Sequence, residues 1–223
     1  MNTKKSHIIV AIDGPSGTGK STTAKIVAKD LGLTYLDTGA MYRAITFAAL
    51  EKGIAPENSS GIDQLLRSTR IRFDDQNQIV INGINREKEI RGKQVSEAVS
   101  PYSAIPAVRK TLTEWQREIA SERSCILDGR DIGTVVFPHA DFKFFLVTDL
   151  KVRAQRRFLE CQEKGIAMTL EEIEKNLAER DRIDSSRATA PLKKADDAFE
   201  IDTTQLSIQQ QVKIIEDRVG VVA

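Results

Sequence analysis

Apolar and polar positions along this chain follow two different periods. Residues 8–12 (IIVAI) form an unbroken apolar run, and 125–129 (CILDG) and 142–148 (FKFFLVT) have the same near-continuous character. Such runs are expected of parallel strands buried on both faces. Helix-forming stretches lie between them, at 21–31 (STTAKIVAKDL) and 39–52 (GAMYRAITFAALEK). Val108, Leu112, Trp115 and Ile119 recur at helical spacing, which predicts one helix face packed on the core. Charged helical stretches follow at 151–164 and 170–183, then a last strand at 198–204 (AFEIDTT) and a last helix at 207–219.

The rhythm changes between these segments. APENSSG (55–61) is rich in turn formers, and TRIRFDD (69–75) and QIVINGINR (78–86) read as strands, with Asn82-Gly83 fitting a tight hairpin turn. Residues 87–105 read as polar and mixed, ending near Pro101 and Pro106. The pattern predicts an α/β fold, a parallel sheet flanked by helices, with a small β-containing insert at about 62–105.

The 223 residues suffice for one large domain. Lys+Arg number 33 against 32 Asp+Glu, a net charge of +1, so nothing points to nucleic acid or another polyanion as partner. No apolar run approaches the roughly 20 residues that span a bilayer, so no membrane role is expected. The apolar stretch near the start runs into a glycine-rich loop rather than a cleavage site, and reads as the first strand. Cys125 and Cys161 lack metal-ligand spacing and make no disulfide framework. His7 and His139 are the only histidines, which argues against zinc. A reducing cytoplasm is the expected compartment, and no obvious self-complementary patch demands more than a monomer.

The glycine-rich loop carries the chemistry. Gly14-Pro15-Ser16-Gly17-Thr18-Gly19-Lys20-Ser21 matches G-x-x-x-x-G-K-[ST] between a predicted strand and a predicted helix. The loop must wrap a phosphate closely enough for backbone N–H groups to donate, and the following helix start, with Ser21 and Thr22, adds further unpaired N–H groups. Lys20 then meets the outer phosphates of a nucleoside triphosphate, and Ser21 can coordinate Mg²⁺; ATPases, GTPases and small-molecule kinases all carry such a loop. Asp128 ends a predicted strand and is either structural or a partner of that ion through water.

Arginines gather at three further places. Arg43 follows the Asp37-Thr38-Gly39 turn, Arg130 follows a predicted strand, and Arg180, Arg182 and Arg187 crowd ERDRIDSSRATAPL. Phosphoryl transfer needs charge neutralisation and in-line placement, and guanidinium groups supply both. A phosphate acceptor is already anionic and needs no general base, which suits arginines without histidine better than a hydroxyl acceptor does. Surface charge is an equally open reading for Arg153, Arg156, Arg157 and Arg182.

IDGPSGTGKST, LDTGAMYRA, EIRGKQVSEAVSPYSAIPAVRKTL, LDGRDIGTVVFP, KFFLVTDLKVRAQRR, ERDRIDSSRATAPL and IDTTQLSI together resemble the bacterial-type cytidylate kinases, within the nucleoside monophosphate kinases, nearly end to end. The resemblance implies a phosphate-loop core (1–37, 106–151, 189–223), a monophosphate-binding region (38–105) and a lid (about 152–188). It implies transfer from ATP, with Mg²⁺, to CMP and dCMP. Residues matching Thr38, Ser100, Arg109 and Asp131 would read the base, Asp184 with Arg180 the ribose, and Arg43, Arg130 and Arg187 the acceptor phosphate. Lys20, Arg130, Arg180 and Arg187 would be the catalytic set. Taken alone, Thr38 reads as a helix cap, Ser100 as a turn residue and Asp184 as a surface charge. Ser21 and Thr38 are hydroxyl variants where some relatives carry Gly or Ser. The 153–157 arginines and the 202–206 loop are candidates for adenine. A kinase for another small acceptor such as shikimate is the nearest rival; a GTPase switch would need N-K-x-D, which is absent.

Overall fold

A computed structural model describes residues 7–163 and 165–220. The expected core and lid segments extend to 1–6, 164 and 221–223, which lie outside the described residues. The described chain falls into two compact units, divided between Tyr35 and Leu36 and between Ser121 and Glu122. In chain order it begins with β1 (Ile9–Asp13), α1 (Lys20–Asp30), β2 (Thr34–Asp37), α2 (Thr38–Glu51), α3 (Ser59–Ser68), β3 (Ile71–Phe73), β4 (Ile79–Ile81), β5 (Ile84–Asn85), α4 (Glu87–Ile90), α5 (Lys93–Ala104) and α6 (Pro106–Ala120). Then come β6 (Cys125–Gly129), a wide helical turn at Ile132–Val136, β7 (Phe142–Val147), α7 (Leu150–Glu163), α8 (Leu170–Ser186), β8 (Phe199–Asp202) and α9 (Ile208–Val219).

The first unit is built on a five-stranded sheet in the order β2-β6-β1-β7-β8. β1 runs parallel to β6 and β7, with Ile12 opposite Asp128 and Phe144, and β7 runs parallel to β8. The unbroken apolar runs thus became central strands. Val10, Ile12, Ile126, Phe144 and Leu146 are buried with Val27 of α1 and Val212 and Ile215 of α9. Order reverses across β1, which places the crevice for ligands at the carboxyl ends of β1 and its neighbours. α7 and α8 pack on each other through Ala154, Cys161, Ile173 and Leu177, and Thr169 with Glu172 closes a capping box at the start of α8.

The second unit, Leu36–Ser121, is helical around α2, with the antiparallel sheet β3-β4-β5 beside it. Ile81 pairs with Ile84, and the turn between them holds Asn82 at φ 49° and Gly83 at φ 87°, the two-residue hairpin expected there. Two expectations need correction. α3 begins within the turn-rich segment 55–61, and residues 87–105, expected to be polar and mixed, hold α4 and α5. Pro101 lies inside α5, where burial of Val95, Val99 and Tyr102 holds the helix across the missing N–H. The buried stripe of α6 runs Val108, Leu112, Gln116, Ala120, four residues apart, leaving Trp115 and Ile119 half-buried. α6 packs with α2, α3 and α5, so the second unit extends to Ser121 where the sequence reading resumed the core at 106. Among the described residues no helix is long and apolar enough to cross a membrane.

Candidate active site

The first unit brings the phosphate loop and most of the expected charged residues together. Gly14 adopts φ 144°, and a Cβ there would overlap the Leu146 carbonyl oxygen, so only glycine lets the chain turn off β1. The loop carbonyls are tied down from behind. Arg153 Nη1 donates to Ser16 O at 3.0 Å, and Thr203 Oγ1 donates to Thr18 O at 3.1 Å. Gly19 caps α1 without a side chain, so the first N–H groups of that helix keep their capacity for an anion. Lys20 is buried, its Nζ donating to Pro15 O at 2.5 Å and Thr18 Oγ1 at 3.3 Å. Burial first, and the Arg130 charge second, push its ammonium well below the ordinary value, against the pull of Asp128, Asp13 and Asp184. Thr22 sits exposed on the first turn of α1.

Ser21 Oγ donates to Asp128 Oδ2 at 2.6 Å, and Tyr35 donates to Asp128 Oδ1 at 2.7 Å. The serine hydroxyl and the Asp128 carboxylate of β6 therefore meet beside the loop, as hard oxygen donors. That donor chemistry fits a magnesium ion, which keeps much of its water and takes few protein ligands. Among the described residues no group of three or more His, Cys, Asp or Glu side chains makes an all-protein metal cage.

The arginine cluster surrounds Asp184. Arg130 Nε donates to Asp184 Oδ2 at 2.8 Å, and Arg187 Nη1 lies 3.6 Å from Asp184 Oδ1. Arg187 also reaches Asp131, with Nη2 3.4 Å from Oδ1, and donates from Nε to Ala190 O. Burial alone would raise the Asp184 pKa, but Arg130, Arg187 and Arg180 outweigh it and hold the carboxyl below its ordinary value. Arg180 is the opposite case. Burial first, then the Arg130 charge, lowers its guanidinium to about 10, and its buried Nε has no hydrogen-bond partner among the described residues. A buried cation short of partners beside Arg130 is an arrangement that an added anion stabilises.

The second unit holds the remaining expected residues. Thr38 is buried in the first turn of α2, but the cap is Asp37, whose Oδ1 accepts from Ala40 N at 2.8 Å. Arg43 donates to Ser96 Oγ at 2.9 Å, linking α2 to α5. Ser100 is buried on α5. Arg109 of α6 lies over the Tyr42 ring, 5.3 Å from its centroid, and donates to Ser103 O at 3.1 Å.

Several participants escaped the sequence reading. Asp13 ends β1 immediately before the phosphate loop, and a carboxylate closing an apolar strand there was the available signal. Arg153, left open as surface charge, is buried and pairs with Asp181 at 2.6 Å as well as with the loop. Arg91 bridges Asp37 and Glu87 within the second unit; nothing in its sequence context distinguishes it from a solvated charge.

Comparison with known proteins adds a family. The cytidylate kinase family model matches residues 10–220. A cytidylate kinase of Clostridium tetani is 47% identical over 217 residues, covering 96% of each chain. Those of Listeria innocua and Fusobacterium nucleatum are 48% and 47% identical, covering 93% and 96% of this chain. Among solved structures, an uncharacterized protein from Eubacterium ventriosum superposes with a TM-score of 0.51 at 10% identity, covering 97% of this chain and 99% of its own. A gluconokinase from Sinorhizobium meliloti superposes at 0.50 with 12% identity, covering 99% and 95%. At such identity the likeness is one of fold.

Proposed function

Because this chain belongs to the cytidylate kinase family, we propose that it catalyses ATP + CMP ⇌ ADP + CDP, and the same transfer to dCMP. The observation that carries the reading is the meeting, within the first unit, of the phosphate loop, the Ser21–Asp128 pair and the Arg130–Asp184–Arg187 cluster. One end of that constellation suits a triphosphate and the other a second phosphate.

The proposed division of labour follows the chemistry of each group. The amides of residues 14–22 cradle the ATP phosphates, and Lys20 turns from Pro15 O toward the phosphoryl group in transfer. Ser21 would hold Mg²⁺, with Asp128 behind it. The ion supplies charge neutralisation on the phosphate oxygens when bound. Arg130, Arg180 and Arg187 neutralise the acceptor and the charge that spreads over the transferring group. An acceptor phosphate oxygen attacks as an anion, so no protein base is assigned. Asp131 is assigned to the cytosine amino group, and Asp184 with Arg180 to the ribose. Thr38, Ser100 and Arg109 of the second unit are assigned to the base by family likeness, and Arg43 to the phosphate. Residues 38–105 would form the acceptor-binding region, and 152–188 a lid that excludes water during transfer. The buried thiols Cys125 and Cys161 suit a reducing cytoplasm, and a monomer is the state assigned.

Ligand-dependent melting tests the reading. CMP at a hundred times its Kd should stabilise by about 2.7 kcal/mol, while cytidine, lacking the phosphate, should do far less. Stabilisation by di- and triphosphates with none by CMP would point instead to a nucleotide switch.

A further inference from the structure

We infer that Asp13 is a positioning residue for acceptor recognition: clamped to the first two amides of the wide turn at Ile132–Val136, it fixes the strand end that carries Arg130 and Asp131. The inference rests on the acceptor roles proposed for those two residues.

Asp13 ends β1 at the centre of the sheet, paired in register with Gly129 on one side and Phe145 on the other, and is 4% exposed. Its Oδ1 accepts from Ile132 N at 2.8 Å and its Oδ2 from Gly133 N at 2.7 Å. These amides open the wide turn, where Asp131 provides no side-chain cap. Buried N–H groups need partners, and here one carboxylate from a neighbouring strand supplies both. The turn also grips the backbone from its far side. The Asp131 carbonyl accepts from Val135 N at 2.9 Å and Val136 N at 3.1 Å, and Phe137 N donates to Ile132 O at 2.7 Å. The peptide units on either side of Ile132 are therefore anchored, which sets where Asp131 points. Wide turns of this kind recur at functional sites.

The clamp has little slack. A Cβ on Gly133 would lie 3.1 Å from Lys143 Cδ and 3.4 Å from Asp13 Oδ2. Lys143 cannot retreat freely, because its Nζ is held by Pro138 O at 2.6 Å and Asp197 at 2.8 Å. Asp13 makes contact with backbone, so what it specifies is the path of residues 130–133. Burial, outweighing the two amide bonds, raises its pKa to about 6, and the carboxylate is ionised at neutral pH, with Asp131 and Lys20 as its nearest charged influences.

Asp13→Asn tests this, since it keeps the shape and one acceptor but turns an NH₂ group toward one of the amides. CMP and UMP turnover, KM for ATP and melting temperature are measured for this variant, for Gly133→Ala and for Asp131→Ala as reference. A displaced contact costs on the order of tenfold to a hundredfold. The expected result is a rise in KM for CMP and a fall in the CMP-to-UMP ratio of about tenfold in Asp13→Asn, with KM for ATP little changed. Gly133→Ala, which keeps the carboxylate but crowds it, should move the same way and takes over the test if Asp13→Asn does not fold. If Asp131→Ala lowers the ratio and folded Asp13→Asn and Gly133→Ala do not, the inference is overturned while the base-reading assignment stands. If none lowers it, both fall.

Discussion

Lys20 concentrates the electrostatic argument at the scale of a single residue. It is a buried ammonium whose charge is disfavoured by burial and Arg130 and supported by three carboxylates. Its removal should lower kcat on the order of 10²–10³-fold, the range for losing one pre-placed donor to transition-state charge. Lys20→Ala with near-wild-type circular dichroism and unchanged turnover would remove Lys20 from the mechanism. Asp13 gives a second residue-scale expectation. Its folded-state pKa, about 6, lies above the ordinary value of 3.8, so the folded protein binds the extra proton between those values. Asp13 thus contributes stability that is present at low pH and lost as pH rises through about 6. The stability of wild type minus that of Asp13→Asn should fall by about 1 kcal/mol between pH 5 and 7.5; a flat difference in denaturant titrations would contradict the burial. The placement of the phosphate loop between β1 and α1, and of Arg130 just after β6, was legible because the motif and the apolar runs mark them. The burial of Ser100 and the ion pairing of Asp184 were not legible, because burial and pairing across long sequence separations leave no local trace.

At the scale of elements, α2 depends on its first turn. Asp37 caps it, and Arg91, reaching across from the end of α4, pairs with the same carboxylate at 2.7 Å. Burial acts against the Arg91 charge, but Asp37 and Glu87 outweigh it and raise its pKa. Arg91 is partly exposed, so the pair itself adds little beyond the cap. Asp37→Ala should cost about 1–2 kcal/mol in urea unfolding, and Asp37→Ser, which restores the cap alone, should recover most of it. Loss in both variants alike would assign the stability to the ion pair. Periodicity found the strands and long helices well, because continuous burial writes itself into composition. It failed at α4 and α5, where one element is four residues long and the other contains a proline. It misplaced the α6 stripe by one residue, because Gln116 occupies a buried position that an apolar pattern skips.

For the molecule as a whole, the claim is a kinase whose acceptor is itself a phosphate. The parallel sheet aligns the ends of β1 and β6, so the loop that would grip ATP and the strand end that bears Arg130 come from adjacent strands. The arginine-rich end of α8 meets that strand end through Asp184 and Arg187. Asp184, the carboxylate among these groups, is occupied by Arg130 and Arg187. The most direct measurement is coupled ADP release with ATP and Mg²⁺ against CMP, dCMP, UMP, AMP, GMP and shikimate. Strong turnover confined to CMP and dCMP is the predicted result. Turnover centred on another monophosphate would keep the phosphate chemistry and overturn the base-reading residues, and folded protein with no acceptor-dependent turnover would contradict the account.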